Sequence, residues 1–417
     1  MTPQSNLPAT VRMMARLEEL ALITDEPGKL TRLYLSPAHK QAVEKVKGWF
    51  AEAGLSPTVD AVGNVAGRLE GREPGLPALI IASHIDTVRD AGKFDGNLGV
   101  LAGLAVVEEL HRLGDKLPFA IEVIAFGDEE GVRFPATLSG SRAIAGTFDM
   151  AALDGRDDAG VSMGEAMRAF GLDPAAIPTI ARRRDRMLGY VELHIEQGPL
   201  LEGADQPLGV VTSIASIKRI AAGVTGEAGH AGTVSMPFRK DALAATAEMI
   251  LAVERIAREI PGMVGTVGRI EAQPGAVNVI PGEVRFSLDL RGPDDATREA
   301  GVEQVLSEIT AIAARRGVTL SLAPGYEEKA SPCHPAIQAG LAAAIRSLGY
   351  EPIALPSGAG HDAAAFHGIC PMGMLFLRCK GGISHNPTES ITAEDADIAI
   401  AALLAFVRGL DQASLRA

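Results

Sequence analysis

Residues 213–328 read as strand, helix, strand, strand, helix, strand, and this block interrupts a chain that otherwise alternates apolar strands with helices. Its elements are IKRIAAGVTG, RKDALAATAEMILAVERIAREI, GTVGRIEA, EVRFSLDLR, ATREAGVEQVLSEITAIAARRG and VTLSLAPG. The order βαββαβ is the ferredoxin-like α+β plan, complete as a small unit. Before it, LPALIIAS (76–83), FAIEVIAFG (119–127) and MLGYVELHI (187–195) read as buried strands. Residues 39–54 and 97–113 read as helices stopped by Gly54 and Gly114. After the block come a helix at 334–348, strands at 352–355 and 373–379, and a last helix at 393–409. Strands alternating with helices imply an α/β domain with a mainly parallel sheet and helices on both faces. The expected organisation is therefore one α/β domain, 1–212 and 329–417, interrupted by an inserted domain at 213–328. Three consecutive domains would leave the last stretch too short to bury a core.

The net charge of −13 excludes a general nucleic-acid surface, which needs a Lys/Arg excess. It does not exclude an anionic substrate, because one placed arginine outweighs a diffuse field at short range. Cys333, Cys370 and Cys379 form no CxxC pair, so they read as small packing residues rather than disulfides or thiolate ligands. The first residues lack the pattern of a signal peptide, and no apolar run reaches a membrane-spanning length. A cytoplasmic setting without membrane or nucleic-acid partners is the expectation. His39, His111, His334 and His367 read as solvent-facing positions on helices or turns.

Five clusters of His, Asp and Glu fall at strand ends. SHIDTV (83–88) follows the first strand and sets His84 and Asp86 on one side of extended chain. Asp86 is placed to receive the second N–H of a metal-binding His84. GKFDGNLGV (92–100) carries Asp95 before a helix, where a carboxylate also reads as an N-cap. GDEEGVRF (127–134) crowds Asp128, Glu129 and Glu130 at a strand mouth, and a divalent cation would relieve their repulsion. VELHIEQGP (191–199) offers His194, Glu196 and Gln197, and GISHNPTES (382–390) offers His385. His, Asp and Glu without thiolates suit Zn²⁺, Mn²⁺ or Co²⁺, and a shared carboxylate would suit a two-metal hydrolytic centre. His361, in SGAGHDAAAF, reads either as approaching this site or as capping the next helix together with Asp362.

SHIDTV, GKFDG, DEEGVRF, HIEQGP, GHAGT, NVIPG, DLRGP, SGAGHDA and SHNP stand in the order of the M20 metallopeptidase-like superfamily. They resemble its carbamoylase branch, the N-carbamoyl-L-amino acid hydrolases, allantoate amidohydrolases and β-ureidopropionases. The resemblance implies two divalent ions per subunit bridged by Asp95, with His84 and His194 completing one site and Glu130 and His385 the other. It further implies Glu129 as general base, Asp86 as the residue that orients His84, and His230 as a group polarising the scissile carbonyl. Asn278 and Arg291 would hold a substrate carboxylate, and Gln197, Ser357, Gly358 and Gly360 would contact the substrate. The inserted domain would act as lid and homodimer interface. The implied activity is cleavage of the carbamoyl C–N bond of a ureido acid. Allantoate hydrolysis is the alternative, and a dipeptidase or aminoacylase activity a weaker one. One departure stands out: Ser235 in HAGTVSM occupies a position where the family carries proline.

Overall fold

The computed structural model describes residues 7–415. They divide into two compact units. The first comprises the chain up to Thr212, Cys333–Leu355 and the chain from Gly360 onward; the second comprises Ser213–Pro332 and Pro356–Ala359. The chain thus leaves the second unit at Cys333, a few residues after the expected 329, and the four residues 356–359 group with that unit.

The sheet of the first unit runs Val65–Leu69, Ala120–Phe126, Ala78–His84, Met187–Ile195, Met372–Leu377, Leu208–Ile214. Its four central strands are parallel, while Val65–Leu69 and Leu208–Ile214 add antiparallel flanks. Every residue of Ala78–His84, Ala120–Phe126 and Met187–Ile195 is buried, the expected state of parallel strands covered on both faces. Register is what positions the site. His84 lies opposite Phe126, and His194 opposite Phe376, so the carboxyl ends of neighbouring strands come out on one edge.

Helix Asn97–Leu113 packs directly on this sheet. A Cβ at Gly99 would come within 2.2 Å of the Leu193 carbonyl oxygen, so only glycine allows that approach. The helix start, and Asp95 just before it, is thereby pressed against the His84 strand end.

In the second unit five strands form an antiparallel sheet, four of them in the order Ile270–Gln273, Glu283–Gly292, Ser216–Thr225, Thr319–Glu328, with Val264–Thr266 also on Glu283–Gly292. Ile220, Ala222 and Val224, with Val284, Phe286, Leu288 and Leu290, meet the apolar faces of helices Ala242–Glu259 and Asp295–Arg316 in one core. The expected strand GTVGRIEA is broken into Val264–Thr266 and Ile270–Gln273, both paired with Glu283–Gly292.

Elements without a sequence expectation include helices Ala9–Ala21 and Met163–Phe170 and strand Val65–Leu69. The helix expected from 39 begins at Pro37, with Ser36 as its N-cap. His39 on that helix is fully buried, not solvent-facing, because its ring packs between Tyr34 and Phe170. His111 and His367 are exposed, and His334 caps the N-terminus of helix Pro335–Ser347. Cys333 and Cys379 are buried, Cys370 is partly buried, and all three are free thiols. Among the described residues, no helix is long and apolar enough to cross a membrane.

Candidate metal centre

The strand edge of the first unit gathers His84, Asp95, Glu129, Glu130, His194 and His385. Asp95 is the hub. Its Oδ1 lies 3.1 Å from His194 Nε2 and 3.4 Å from His84 Nε2, and its Oδ2 lies 3.4 Å from His385 Nε2. Glu130 Oε2 is 3.8 Å from His385 Nε2, and Glu129 Oε2 is 3.9 Å from His84 Nε2. Two of the groups close enough to hold a cation, His84–Asp95–His194 and Asp95–Glu130–His385, share one carboxylate, and His84–Glu129–Glu130 forms a third that overlaps both. The N-cap reading of Asp95 fails: Gly96 occupies the cap without any side-chain bond, and the carboxylate turns inward.

Both buried imidazoles are oriented by backbone. His84 Nδ1 meets the Asp86 carbonyl oxygen at 3.1 Å, and His194 Nδ1 meets the Ile195 carbonyl oxygen at 2.9 Å. With Nδ1 on a backbone carbonyl, each Nε2 points toward Asp95. The expected part of Asp86 changes accordingly. Its carboxylate stands 3.6 Å from His84 Nδ1, while its two oxygens accept the backbone N–H groups of Glu129 (3.1 Å) and Glu130 (3.2 Å). Asp86 therefore fixes the acidic loop as well as the imidazole.

A second buried carboxylate does the same for Asp95. Glu389 Oε1 accepts the N–H groups of Phe94 (2.8 Å) and Asp95 (3.1 Å). Ser384 Oγ lies 2.8 Å from Asp95 Oδ2 and 2.9 Å from Glu389 Oε2. Neither residue is marked in the sequence beyond lying in GISHNPTES. Gly92 makes room for Glu389, since a Cβ there would fall 2.3 Å from Glu389 Cβ.

The donor set fits a divalent cation. Glu130 Oε1 and Gln197 Oε1 are buried oxygens with no hydrogen-bond partner. Burial pushes the Glu129 carboxyl well above its usual range even beside His84, and burial and Asp95 push Glu130 up to about 7. Burial opposes charge on His84, but Asp86 and Asp95 overcome it and hold the imidazole well above its usual value. Asp95 likewise raises His385 to about 9. Burial opposes charge on Asp95, but His194, His385 and His84 outweigh it and hold this carboxyl well below its usual range, so negative charge stays at the hub where a cation would sit. Backbone strain collects here too: Asp128, Gln197 and His385 have φ of +64°, +57° and +53°.

The remaining expectations divide. Gln197 Nε2 donates to Asp95 Oδ2 at 2.7 Å, so its amide touches the hub carboxylate. A Cβ on Gly360 would sit 4.0 Å from Glu129 Oε1, which leaves that side of the acid open. His361 does not cap the next helix; its ring is buried edge-on against His194, centroids 4.5 Å apart. Asp128 is engaged by the Ser139 hydroxyl, and Glu196 accepts the N–H groups of Leu200 and Leu201, so neither joins the ligand sets. Glu192, His194 and His361 also lie close together, but the Glu192 oxygens are taken by Ser83, Tyr190 and the Ala363 N–H.

His230, Asn278, Arg291, Ser357 and Gly358 belong to the second unit. His230 pairs with Val279, and the Ala231 N–H donates to the Asn278 carbonyl at 3.0 Å, so His230 and Asn278 are neighbours. Ser235 starts a short turn, and Arg239 pins the loop through the carbonyls of Ala231 and Val234. Arg291 lies in a fork on Asp289 (2.7 and 3.0 Å), with its third nitrogen on the Gly358 carbonyl at 2.6 Å. Ser357 is buried with its hydroxyl 3.1 Å from both the N–H and the carbonyl of Ala359, so it shapes its own loop instead of facing outward.

Histidines and carboxylates converging at the carboxyl edge of a parallel sheet, with a buried acid beside them, are the equipment of a metal-dependent α/β hydrolase. Residues 80–409 match the family described as Peptidase family M20/M25/M40, and the chain belongs to that family. It is 42% identical over 388 residues to an N-carbamoyl-L-amino acid amidohydrolase of Geobacillus stearothermophilus, covering 93% of this chain and 95% of that one. It is 38% identical over 426 residues to an allantoate deiminase of Arabidopsis thaliana, covering 94% and 81%. Among solved structures, an amidase of the hydantoinase/carbamoylase family from Burkholderia multivorans matches with a TM-score of 0.90 and 34% identity, over 96% of this chain and 97% of that one.

Proposed function

We propose that this hydrolase removes the carbamoyl group from an N-carbamoyl-L-amino acid, releasing the amino acid, CO2 and ammonia. The observation that carries the reading is the shared carboxylate of Asp95 between two sets of ligands, with Glu129 beside them. The similarity to an N-carbamoyl-L-amino acid amidohydrolase supports the substrate class. In this reading two divalent ions, Zn²⁺, Mn²⁺ or Co²⁺, are held by His84, Asp95 and His194 and by Asp95, Glu130 and His385. When bound, they supply Lewis acidity that acidifies water and polarises the urea carbonyl. Glu129 takes the proton of the attacking water, and a C–O bond forms at the urea carbon. The bond from that carbon to the substituted nitrogen breaks, Glu129 delivers the proton to the leaving nitrogen, and the carbamate left behind decays to CO2 and ammonia. A carboxyl raised by burial suits such a shuttle near neutral pH.

From the second unit, His230 polarises the carbonyl in this reading, while Asn278 and Arg291 take the substrate carboxylate; Gln197 and the 357–360 loop complete the contacts. Arg291 lines a cavity of about 640 Å³ together with Arg219, Asp289 and Gly358. Arg291→Lys should raise KM for carboxylate-bearing substrates about tenfold with kcat little changed, because an ammonium cannot keep the Asp289 fork and still present a planar face. An unchanged KM would remove Arg291 from the binding site. The proposal also covers the second unit as lid and dimerisation domain of a cytoplasmic homodimer, on the family resemblance and on the exposure of Leu251 and Val277.

Because His84 and His385 hold protons in the cation-free chain, uptake of Mn²⁺ should release protons, and apparent affinity should climb as pH rises toward about 9. Calorimetry in buffers of different ionisation enthalpy checks this at pH 7; uptake without proton release would contradict it.

Allantoate is the second reading, favoured by the similarity to an allantoate deiminase, and the same acid, ligands and arginine would serve it. Ammonia release by metal-reconstituted protein tests both, with a panel of N-carbamoyl-L-amino acids, N-carbamoyl-β-alanine and allantoate. The leading reading expects the fastest release from the L-amino acid panel, and release from none of these substrates would sink both readings.

A further inference from the structure

A guanidinium buried inside the first unit ties together the two loops that supply His84 and Asp95. Arg32 is fully buried. It lies upstream of residue 80, where the family match begins. Its Nε donates to the Ile85 carbonyl at 2.6 Å, between His84 and Asp86 in the chain. Its Nη2 donates to Asn97 Oδ1 at 2.7 Å, and Asn97 Nδ2 donates in turn to the Asp95 carbonyl at 3.0 Å. Its Nη1 takes the carbonyls of Leu20 (2.7 Å) and Ile23 (3.0 Å), at the end of helix Ala9–Ala21 and just beyond it. The Arg32 backbone N–H and carbonyl pair with the Thr87 hydroxyl and N–H, so the residue is gripped along its whole length.

A buried arginine ordinarily faces a carboxylate, because removing its charge from water is costly. The acceptors of the Arg32 guanidinium are instead carbonyl and amide oxygens. The charge faces a site rich in Asp and Glu, while its fork spans chain segments that share no direct strand pairing. A lysine, with one compact ammonium, cannot reach four acceptors lying in different directions.

We infer that Arg32 is a positioning residue of the proposed metal centre, setting the distance between the His84–Asp86 strand end and the Asp95–Asn97 helix start. The inference rests on the metal-centre reading. Its consequence is that the N-terminal segment Ala9–Arg32, outside the family match, takes part in holding the ligands in register.

The test is Mn²⁺ affinity of the full chain, by competition with a fluorescent chelator, alongside the melting temperature of the metal-free protein. Arg32→Lys should weaken Mn²⁺ binding about 10- to 100-fold, the usual range for residues behind metal ligands. Asn97→Ala keeps the arginine and cuts only the link to Asp95, so it should weaken binding in the same sense even if Arg32→Lys does not fold. Where both fold, the double variant should lose little more than the weaker-binding single variant, because the two residues act through one connection. Arg298→Lys is the control. Arg298 is also buried, but it bonds Ile217 and Glu327 in the second unit, and its variant should keep Mn²⁺ affinity within about twofold of wild type whatever its melting temperature. Variants at Arg32 and Asn97 that bind Mn²⁺ no more weakly than Arg298→Lys would overturn the positioning role alone. A wild-type chain that binds no Mn²⁺ would overturn the metal centre and this role with it.

Discussion

Glu129→Gln is expected to lower turnover about 10³-fold while metal content and KM stay close to wild type. The two oxygens of Asp86 hold the N–H groups of Glu129 and Glu130 at 3.1 and 3.2 Å, so the acidic loop is positioned by its backbone and survives the exchange. Glutamine matches glutamate in volume but cannot take a proton from water. The assigned ligands His84, Asp95, His194, Glu130 and His385 are untouched. Metal analysis and steady-state rates on one preparation separate the two effects. Retained turnover would exclude Glu129 as the proton shuttle, and loss of metal would move it into the ligand set.

Gly96→Ala should disable the centre although the changed side chain is a single methyl. Gly96 has φ +66° and ψ −53°, outside even the left-handed helical region, a conformation that costs a residue with a Cβ about 1–3 kcal/mol. A Cβ there would also lie 2.4 Å from the His84 ring atoms Cε1 and Nδ1, far inside contact distance. The ring has no simple retreat, because its Nδ1 is held by the Asp86 carbonyl and its Nε2 faces Asp95. The Gly96 N–H also points at His194 Nε2 at 3.3 Å, so a shifted backbone disturbs both imidazoles of one ligand set. We expect metal affinity to fall about 10- to 100-fold and turnover at limiting metal at least as far, with a melting temperature a few degrees lower. Unchanged metal stoichiometry under chelator competition would show that the His84 ring is not confined as described.

Much of the centre was legible because its chemistry sits where apolar runs stop. Helix 97–113 and strand 187–195 are mostly apolar stretches with clear ends, and His84, the Glu129–Glu130 pair and His194 lie at or just beyond strand termini. What was not legible works through the backbone. Glu389 acts on N–H groups and Arg32 on carbonyls, so no residue spacing marks them; for Asp86 the spacing from His84 was readable, but its hold on the Glu129 and Glu130 N–H groups was not. Helix Ala9–Ala21 was invisible for a local reason: Pro8 gives it no side-chain cap, and its first turn carries no acid. His39 was misplaced because its burial depends on Gly127 leaving room for the ring, since a Cβ there would fall 2.9 Å from His39 Cε1. The antiparallel flank Val65–Leu69 is short and buried mainly at one end, so alternation had little to report.

Anomalous diffraction from crystals soaked in Mn²⁺ tests the central claim most directly. The account expects two peaks in the first unit, one among His84, Asp95 and His194 and the other among Asp95, Glu130 and His385, with Asp95 touching both. Peaks elsewhere, or none in crystals where these side chains are ordered, would contradict it.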